Sequence, residues 1–152
     1  MEKSAIQHSK YMGAVKQLTH KELKNKRNFS GENEEKRMMK ATHGFYFLSK
    51  HKTKINESVA FIEVDAKNLD AKKLALDIQN QLEKDKATDA TITKIGYGVI
   101  INRTKNSLQV YVTRITGHKT NETKTKQLQK QNNYLLMLSS AFKNISNSSV
   151  VV

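Results

Sequence analysis

The sequence contains no cysteine, no proline and no tryptophan among its 152 residues. Without cysteine the chain has no disulfide framework, no zinc ribbon and no cysteine nucleophile. No apolar run approaches the roughly 18 residues that a membrane-spanning helix needs, and no apolar stretch typical of a signal peptide stands near Met1. These absences argue against membrane-spanning helices, a disulfide scaffold and a cysteine enzyme.

Acidic residues are scarce relative to basic ones, with 14 Asp and Glu against 27 Lys and Arg, and the net charge is +13. Such an excess favours anionic partners, whether nucleic acid, lipid or acidic protein. The basic clusters lie at residues 21–27, 36–40 and 50–54, mostly in expected loops, where charge usually forms a solvated surface. Because no helix-turn-helix or RNA-binding strand motif accompanies them, we expect no specific nucleic-acid binding.

Apolar residues spaced three and four apart predict helices. The predicted helices cover residues 4–18, 34–42, 71–83 and 125–144. Asp70 is the expected N-cap of the third helix.

Residues rich in β-branched and aromatic side chains predict strands. The predicted extended segments are 57–64, 95–101 and 108–113, and the first of them follows a basic loop over 49–56. In the last two segments apolar residues recur at every second position on either side of a polar turn, and this pattern predicts a hairpin. Gly96 and Gly98 inside a strand predict the close approach of another backbone or side chain. The order of elements predicts a mixed α/β domain with a small antiparallel sheet flanked by helices.

Motifs for common catalytic and cofactor sites are missing. The Gly96-Tyr97-Gly98 triplet lacks the third glycine and the following helix of a dinucleotide fingerprint. The sequence has no phosphate loop, no nucleophile elbow and no His-Glu-x-x-His helix, and no two of its five histidines are three or four residues apart. We therefore predict no catalytic residue and no cofactor.

Five segments, in order, resemble the motifs of one family. They read A-x-x-H-S-x-x-M at 5–12, I-N-E-S-V-A-F at 55–61, D-A-K-K-L-A-L-D-I-Q-N at 70–80, K-I-G-Y-G-V-I at 94–100 and L-Q-V-Y-V-T-R-I-T-G at 108–117. They resemble the CAP superfamily (cysteine-rich secretory proteins, antigen 5 and pathogenesis-related 1 proteins) in its short bacterial form. The resemblance implies an α/β fold, a three-layer α-β-α sandwich with a small, mainly antiparallel central sheet. It also implies a CAP-like domain over 1–117 and a C-terminal extension over 118–152, with one helix packed on that domain.

Members of this family can hold a divalent metal between two histidines and two acids. The resemblance places His20 at the first histidine and Glu57 at the first acid, in preference to Glu32 of the literal Gly-Glu-Asn triplet. Gln81 or Asn80 stands at the second acid and Lys84 at the second histidine; neither amide carries a charge, and a protonated lysine cannot ligate a metal. We therefore expect no metal site, and we expect His20 and Glu57 to remain as a hydrogen-bonded pair that ties two loops together.

The resemblance implies an exported protein at the extracellular face of the outer membrane, attached through a lipid anchor upstream of this chain. The expected function is that of a non-enzymatic binding module for a host protein, a glycosaminoglycan, or a lipid or sterol. Residues 45–47 and 57–64 either line a lipid groove or, more commonly for such residues, form core. Two alternatives remain: a metal-dependent hydrolase that uses His20 and Glu57, and a basic nucleic-acid-binding protein.

Overall fold

The protein is a mixed α/β domain, as the sequence predicts. The computed structural model describes residues 1–44, 54–118, 133 and 135–143. The elements are α1 (Glu2–Val15), α2 (Glu34–Ala41), β1 (Lys54–Asp65), α3 (Ala71–Asp85), β2 (Ile92–Arg103) and β3 (Ser107–His118). Residues 133 and 135–143 are helical and belong to a C-terminal helix. The aromatic run at 45–47, the predicted linker from 119 onward and the first part of the predicted last helix lie outside the described residues.

The three strands form an antiparallel sheet in the order β1-β3-β2. β2 and β3 form the predicted hairpin, with one register shift between Ile92 and Lys94. β1 pairs with β3 along its whole length, from Lys54 opposite His118 to Asp65 opposite Ser107. The predicted loop over 49–56 is therefore wrong for residues 54–56, because pairing with β3 extends the strand into a locally polar stretch.

Helices cover both faces of the sheet. On one face, α3 and the C-terminal helix enclose the largest apolar cluster, to which the buried Leu138 and Phe142 both belong. On the other face, α1 and α2 pack in two smaller clusters, one around Ala5 and Met38 and the other around Met12. Among the described residues, no helix is long and apolar enough to cross a membrane.

The two strand glycines allow α1 to lie directly on the sheet, as their pattern predicts. A Cβ added to Gly98 would lie 2.2 Å from the backbone of Ala5 and Ile6, and one added to Gly96 would lie 2.5 Å from the nitrogen of Glu2. The hydroxyl of Ser9 donates to the carbonyl of Gly98 at 2.8 Å and secures the contact. The Gly-x-Gly triplet is therefore a packing device.

Helix ends follow local capping chemistry. The carboxylate of Asp70 accepts hydrogen bonds from the backbone of Lys72 and Lys73, which confirms it as the N-cap of α3. Asn33 caps α2 in the same way. α1 ends at Val15, three residues before its predicted end, because Lys16 adopts a left-handed conformation with φ of 55°.

Candidate functional site

The structure brings together the two residues that the resemblance singles out. Nδ1 of His20 lies 3.1 Å from Oε1 of Glu57. His20 lies in the segment between α1 and α2, whereas Glu57 lies within β1 and is only 4 % exposed. The side chain of Glu57 points to the face of the sheet that α1 and α2 cover, as do those of Ile55 and Val59. The pair therefore joins a loop to a strand, and not two loops as the sequence suggests.

Asp85, at the C-terminal end of α3, is the third member of this site. Nε2 of His20 lies 3.1 Å from its carboxylate. The second oxygen, Oδ2, accepts a hydrogen bond from the backbone nitrogen of Val59 at 2.7 Å. Asp85 therefore holds both the imidazole ring and the edge of β1.

The residues expected at the second half of a family metal site lie elsewhere. Oε1 of Gln81 accepts a hydrogen bond from the backbone nitrogen of Phe61 at 3.1 Å, so Gln81 caps the edge of β1 one turn before Asp85. Lys84 is exposed and has no ion-pair partner within the described part of the chain. Sequence reasoning missed Asp85 although a signal exists, since a position four residues after Gln81 lies on the same face of α3.

His20 is held as a cation. A carboxylate faces each ring nitrogen, so both nitrogens donate a proton and neither has a free lone pair. The hydrogen bond to Glu57 is the main cause that raises the pKa of His20 to about 9, with a further contribution from Asp85 and an opposing one from partial burial. Metal coordination needs the neutral ring. Among the described residues, no group of three or more histidine and acidic side chains is arranged to hold a metal ion.

Arg37 supports Glu57 from α2. Its guanidinium is fully buried and donates from Nη2 to Oε2 of Glu57 at 2.6 Å and to the backbone oxygen of His20 at 3.2 Å. Nη1 donates to the carbonyl of Gly31 at 3.1 Å. The sequence places this arginine in a solvated basic cluster at 36–40, which is wrong for Arg37 because α2 packs it against the carboxylate of β1.

Glu57 remains ionised despite its burial. Burial raises the pKa of Glu57, but the hydrogen bond from His20 and the charges of His8 and Arg37 outweigh it and leave the pKa below its ordinary value. Its carboxylate is thus the group that contacts the cationic side chains of this site.

A second buried pair, His8 and Glu22, lies beside the first. Nδ1 of His8 lies 2.8 Å from Oε1 of Glu22, and Nε2 lies 2.8 Å from the carbonyl of Thr19. Glu22 also accepts hydrogen bonds from the backbone nitrogens of Ser30 and Gly31. Burial raises the pKa of Glu22, but these contacts dominate and lower it. Since Nε2 of His8 lies 3.5 Å from Glu57, the two pairs form one network.

The network commits its groups to one another. Three carboxylates face two histidine rings and one guanidinium, and each ring nitrogen contacts an oxygen that accepts hydrogen bonds. These residues are His8, His20, Glu22, Arg37, Glu57 and Asp85. No carboxylate in this set is left as a free general base. The network therefore acts as a structural clamp that joins four parts of the chain: the segment after α1, helix α2, strand β1 and helix α3.

Comparison with family models, curated proteins and solved structures found no match for this chain. The CAP-like assignment therefore stays a hypothesis, and the function has to be inferred from the geometry and charge of the chain itself.

Proposed function

We propose that the protein is a non-enzymatic, CAP-like binding module for an anionic partner. Helices on both faces of a three-stranded antiparallel sheet are compatible with the three-layer α-β-α sandwich that the order of sequence motifs implies. His20 and Glu57, two of the positions that resemble the family's metal ligands, take part in ion pairs with each other, with Asp85 and with Arg37, and these pairs support a structural role for the cleft in place of a catalytic one.

The observation that carries the proposal is that most of the basic side chains have no carboxylate partner. Residues 1–44 and 54–118 contain 20 lysines and arginines. Only four of them pair with a carboxylate in these ranges: Lys24, Lys36, Arg37 and Arg114. The same ranges contain only 13 aspartates and glutamates, so the outer surface carries uncompensated positive charge. Such a field attracts anionic partners over long range.

The metal-dependent hydrolase is disfavoured by the state of His20. A zinc ion would have to displace one of the two carboxylates from its ring nitrogens and remove a proton whose pKa is raised to about 9. The remaining ligands would still be fewer than the three protein side chains that catalytic zinc ordinarily requires.

The test is the binding of fluorescently labelled full-length chain to a sulfated polysaccharide and to vesicles with and without phosphatidylglycerol, at low and high salt. We expect binding to the anionic probes, none to neutral phosphatidylcholine, and a marked weakening as ionic strength rises. The proposal fails if no anionic probe binds at low salt. Preference for single-stranded RNA at equal probe charge would instead support the nucleic-acid alternative.

A zinc titration followed by thermal unfolding separates the hydrolase from the binding module. A ligand that binds the native state raises the melting temperature. We expect no rise with millimolar zinc, and a rise that the His20→Ala variant abolishes would restore the metal site.

The export of the protein to the outer surface through a lipid anchor is part of the proposal and rests on the family resemblance. The test is the coding sequence upstream of Met1. A signal peptide that ends in a lipidation cysteine supports it, and the absence of one from the complete gene contradicts it.

A further inference from the structure

A basic pocket lies at the end of the domain where α1 stops and the β2–β3 hairpin turns. Its cavity volume is about 420 Å³, within the range of pockets that hold small ligands. The residues that line it come from α1 and its end, from the segment before α2, and from the β2–β3 hairpin, among them Lys10, Lys16, Arg27, Arg103 and Gln109. None of them belongs to the His20 network.

The residues that line the pocket carry positive charge that no acidic residue balances. Four basic side chains, those of Lys10, Lys16, Arg27 and Arg103, surround the cavity, and its lining contains no acidic residue. None of the four has an ion-pair partner in the part of the chain that the structure describes. Four unpaired cations around one cavity repel each other, and a bound anion relieves that repulsion.

Hydrogen bonds hold the frame of the pocket in place. Nδ2 of Asn102 donates to the carbonyl of Gly13 at 2.9 Å, and Nδ2 of Asn28 donates to the carbonyl of Lys10 at 3.4 Å. The first of these bonds covers one of the carbonyl oxygens at the C-terminal end of α1, where an anion would otherwise meet negative partial charge. Gly13 also lets α1 approach β2, since an added Cβ would lie 3.0 Å from Ile100. The pocket is therefore built largely before any ligand arrives.

We propose that this pocket binds a sulfate or phosphate ester carried on a sugar or polyol. The four cations suit a tetrahedral oxyanion, for which arginine offers paired donors and lysine a mobile point charge. The amide of Gln109 adds a polar group that matches the hydroxyls of a polyol. The inference rests on the proposed function and names the site and ligand chemistry that it leaves open.

Isothermal titration calorimetry of the full chain tests the ligand class. The probes are inositol trisphosphate, a sulfated disaccharide, their uncharged parents and inorganic phosphate. We expect saturable binding of at least one ester and none of the uncharged parents. Tighter binding of inositol trisphosphate identifies a phosphorylated headgroup as the source of the ligand, and tighter binding of the disaccharide identifies a sulfated saccharide.

Matched double variants test whether the ester binds in this pocket. K10Q/K16Q removes two positive charges from the pocket, whereas K72Q/K73Q removes two from exposed positions on α3, across the sheet from α1. We expect about tenfold weaker ester binding from the pocket variant and less than about twofold from the control, since one exposed charged contact contributes about threefold to the affinity and two together about tenfold. Equal melting temperatures of the two variants show that both fold.

Three results would overturn the inference: no saturable binding of either ester at millimolar concentration, equal loss in the two double variants, or inorganic phosphate that binds as tightly as the esters. If the chain still binds the large sulfated polysaccharide in those cases, the pocket fails while the proposed function stands. If it binds no anion of any size, both fail.

Discussion

Replacement of Arg37 by methionine tests whether the ion-pair network holds the fold together. Arg37 is fully buried, and Glu57, its partner at 2.6 Å, is 4 % exposed. Methionine fills a similar volume but leaves the buried carboxylate of Glu57 with His20 as its remaining close cationic partner. Removal of one member of a buried ion pair costs about 3 to 5 kcal/mol of unfolding free energy. Because His20 still contacts Glu57, we expect the lower end, about 3 kcal/mol.

The neighbouring residue of α2 provides the control. Lys36 is exposed and pairs with the half-exposed Glu32 one turn away. An exposed pair of this kind contributes about 0 to 1 kcal/mol, so Lys36→Met should change the unfolding free energy by less than about 1 kcal/mol. Both variants remove one positive charge from the same helix, and they differ in burial.

Urea denaturation followed by circular dichroism measures both variants. In a thermal melt of a chain of this size, a loss of about 3 kcal/mol in unfolding free energy corresponds to a drop of about 6 to 12 °C in melting temperature. A second variant, E57Q with R37M, should cost less than the sum of the two single changes, because both charges are then removed together. If Arg37→Met costs no more than Lys36→Met, the buried pair does not stabilise the fold and the reasoning fails.

Three further outcomes follow from particular contacts. The pKa of His20 is raised to about 9 in the folded protein against about 6.5 in the unfolded chain, so the stabilisation from its ion pairs is complete below about pH 6.5 and is lost as the pH rises to about 9. Because the ring is 44 % exposed, we expect this stabilisation to be about 1 kcal/mol. His20→Gln should remove the corresponding pH dependence from urea midpoints measured across that range. Gly98→Ala should cost about 3 kcal/mol in the same assay, because its methyl group would collide with the backbone of Ala5, and an unchanged midpoint would show that α1 does not lie on the sheet. Phe142→Ala should cost about 3 to 5 kcal/mol, whereas Met137→Ala, which is half exposed, should cost less than about 1 kcal/mol; equal effects would mean that the C-terminal helix is not part of the core.

The sequence predicts well those features that depend on neighbours along the chain. Asp70 caps α3 because a carboxylate at that position reaches the next backbone nitrogens, and this depends on local geometry alone. The alternation around residues 102–106 predicts the hairpin for the same reason. Gly96 and Gly98 predict that something approaches the strand, although only the fold shows that it is α1.

The candidate site is harder to predict because its members are far apart in sequence. His20 and Asp85 are separated by 65 residues, and His20 and Glu57 by 37. Arg37 lies in a run of basic residues, and arginine is mostly exposed unless it is paired. Its burial depends on a carboxylate that another element supplies, and composition cannot show this. The resemblance finds His20 and Glu57 but places the second acid four residues before Asp85.

The network and the basic surface have one cause. A chain with 14 acidic residues and 27 basic ones can neutralise only part of its positive charge. The fold places Glu22 and Glu57 at buried positions, where an unpaired carboxylate would be costly, and Arg37 and the histidines compensate them there. Because the network contains Arg37 and His20 as well as carboxylates, it is close to neutral, and the excess of lysine and arginine stays on the outer surface. The residues that close the metal-type cleft are therefore distinct from the unpaired cations that favour an anionic partner at another place on the molecule.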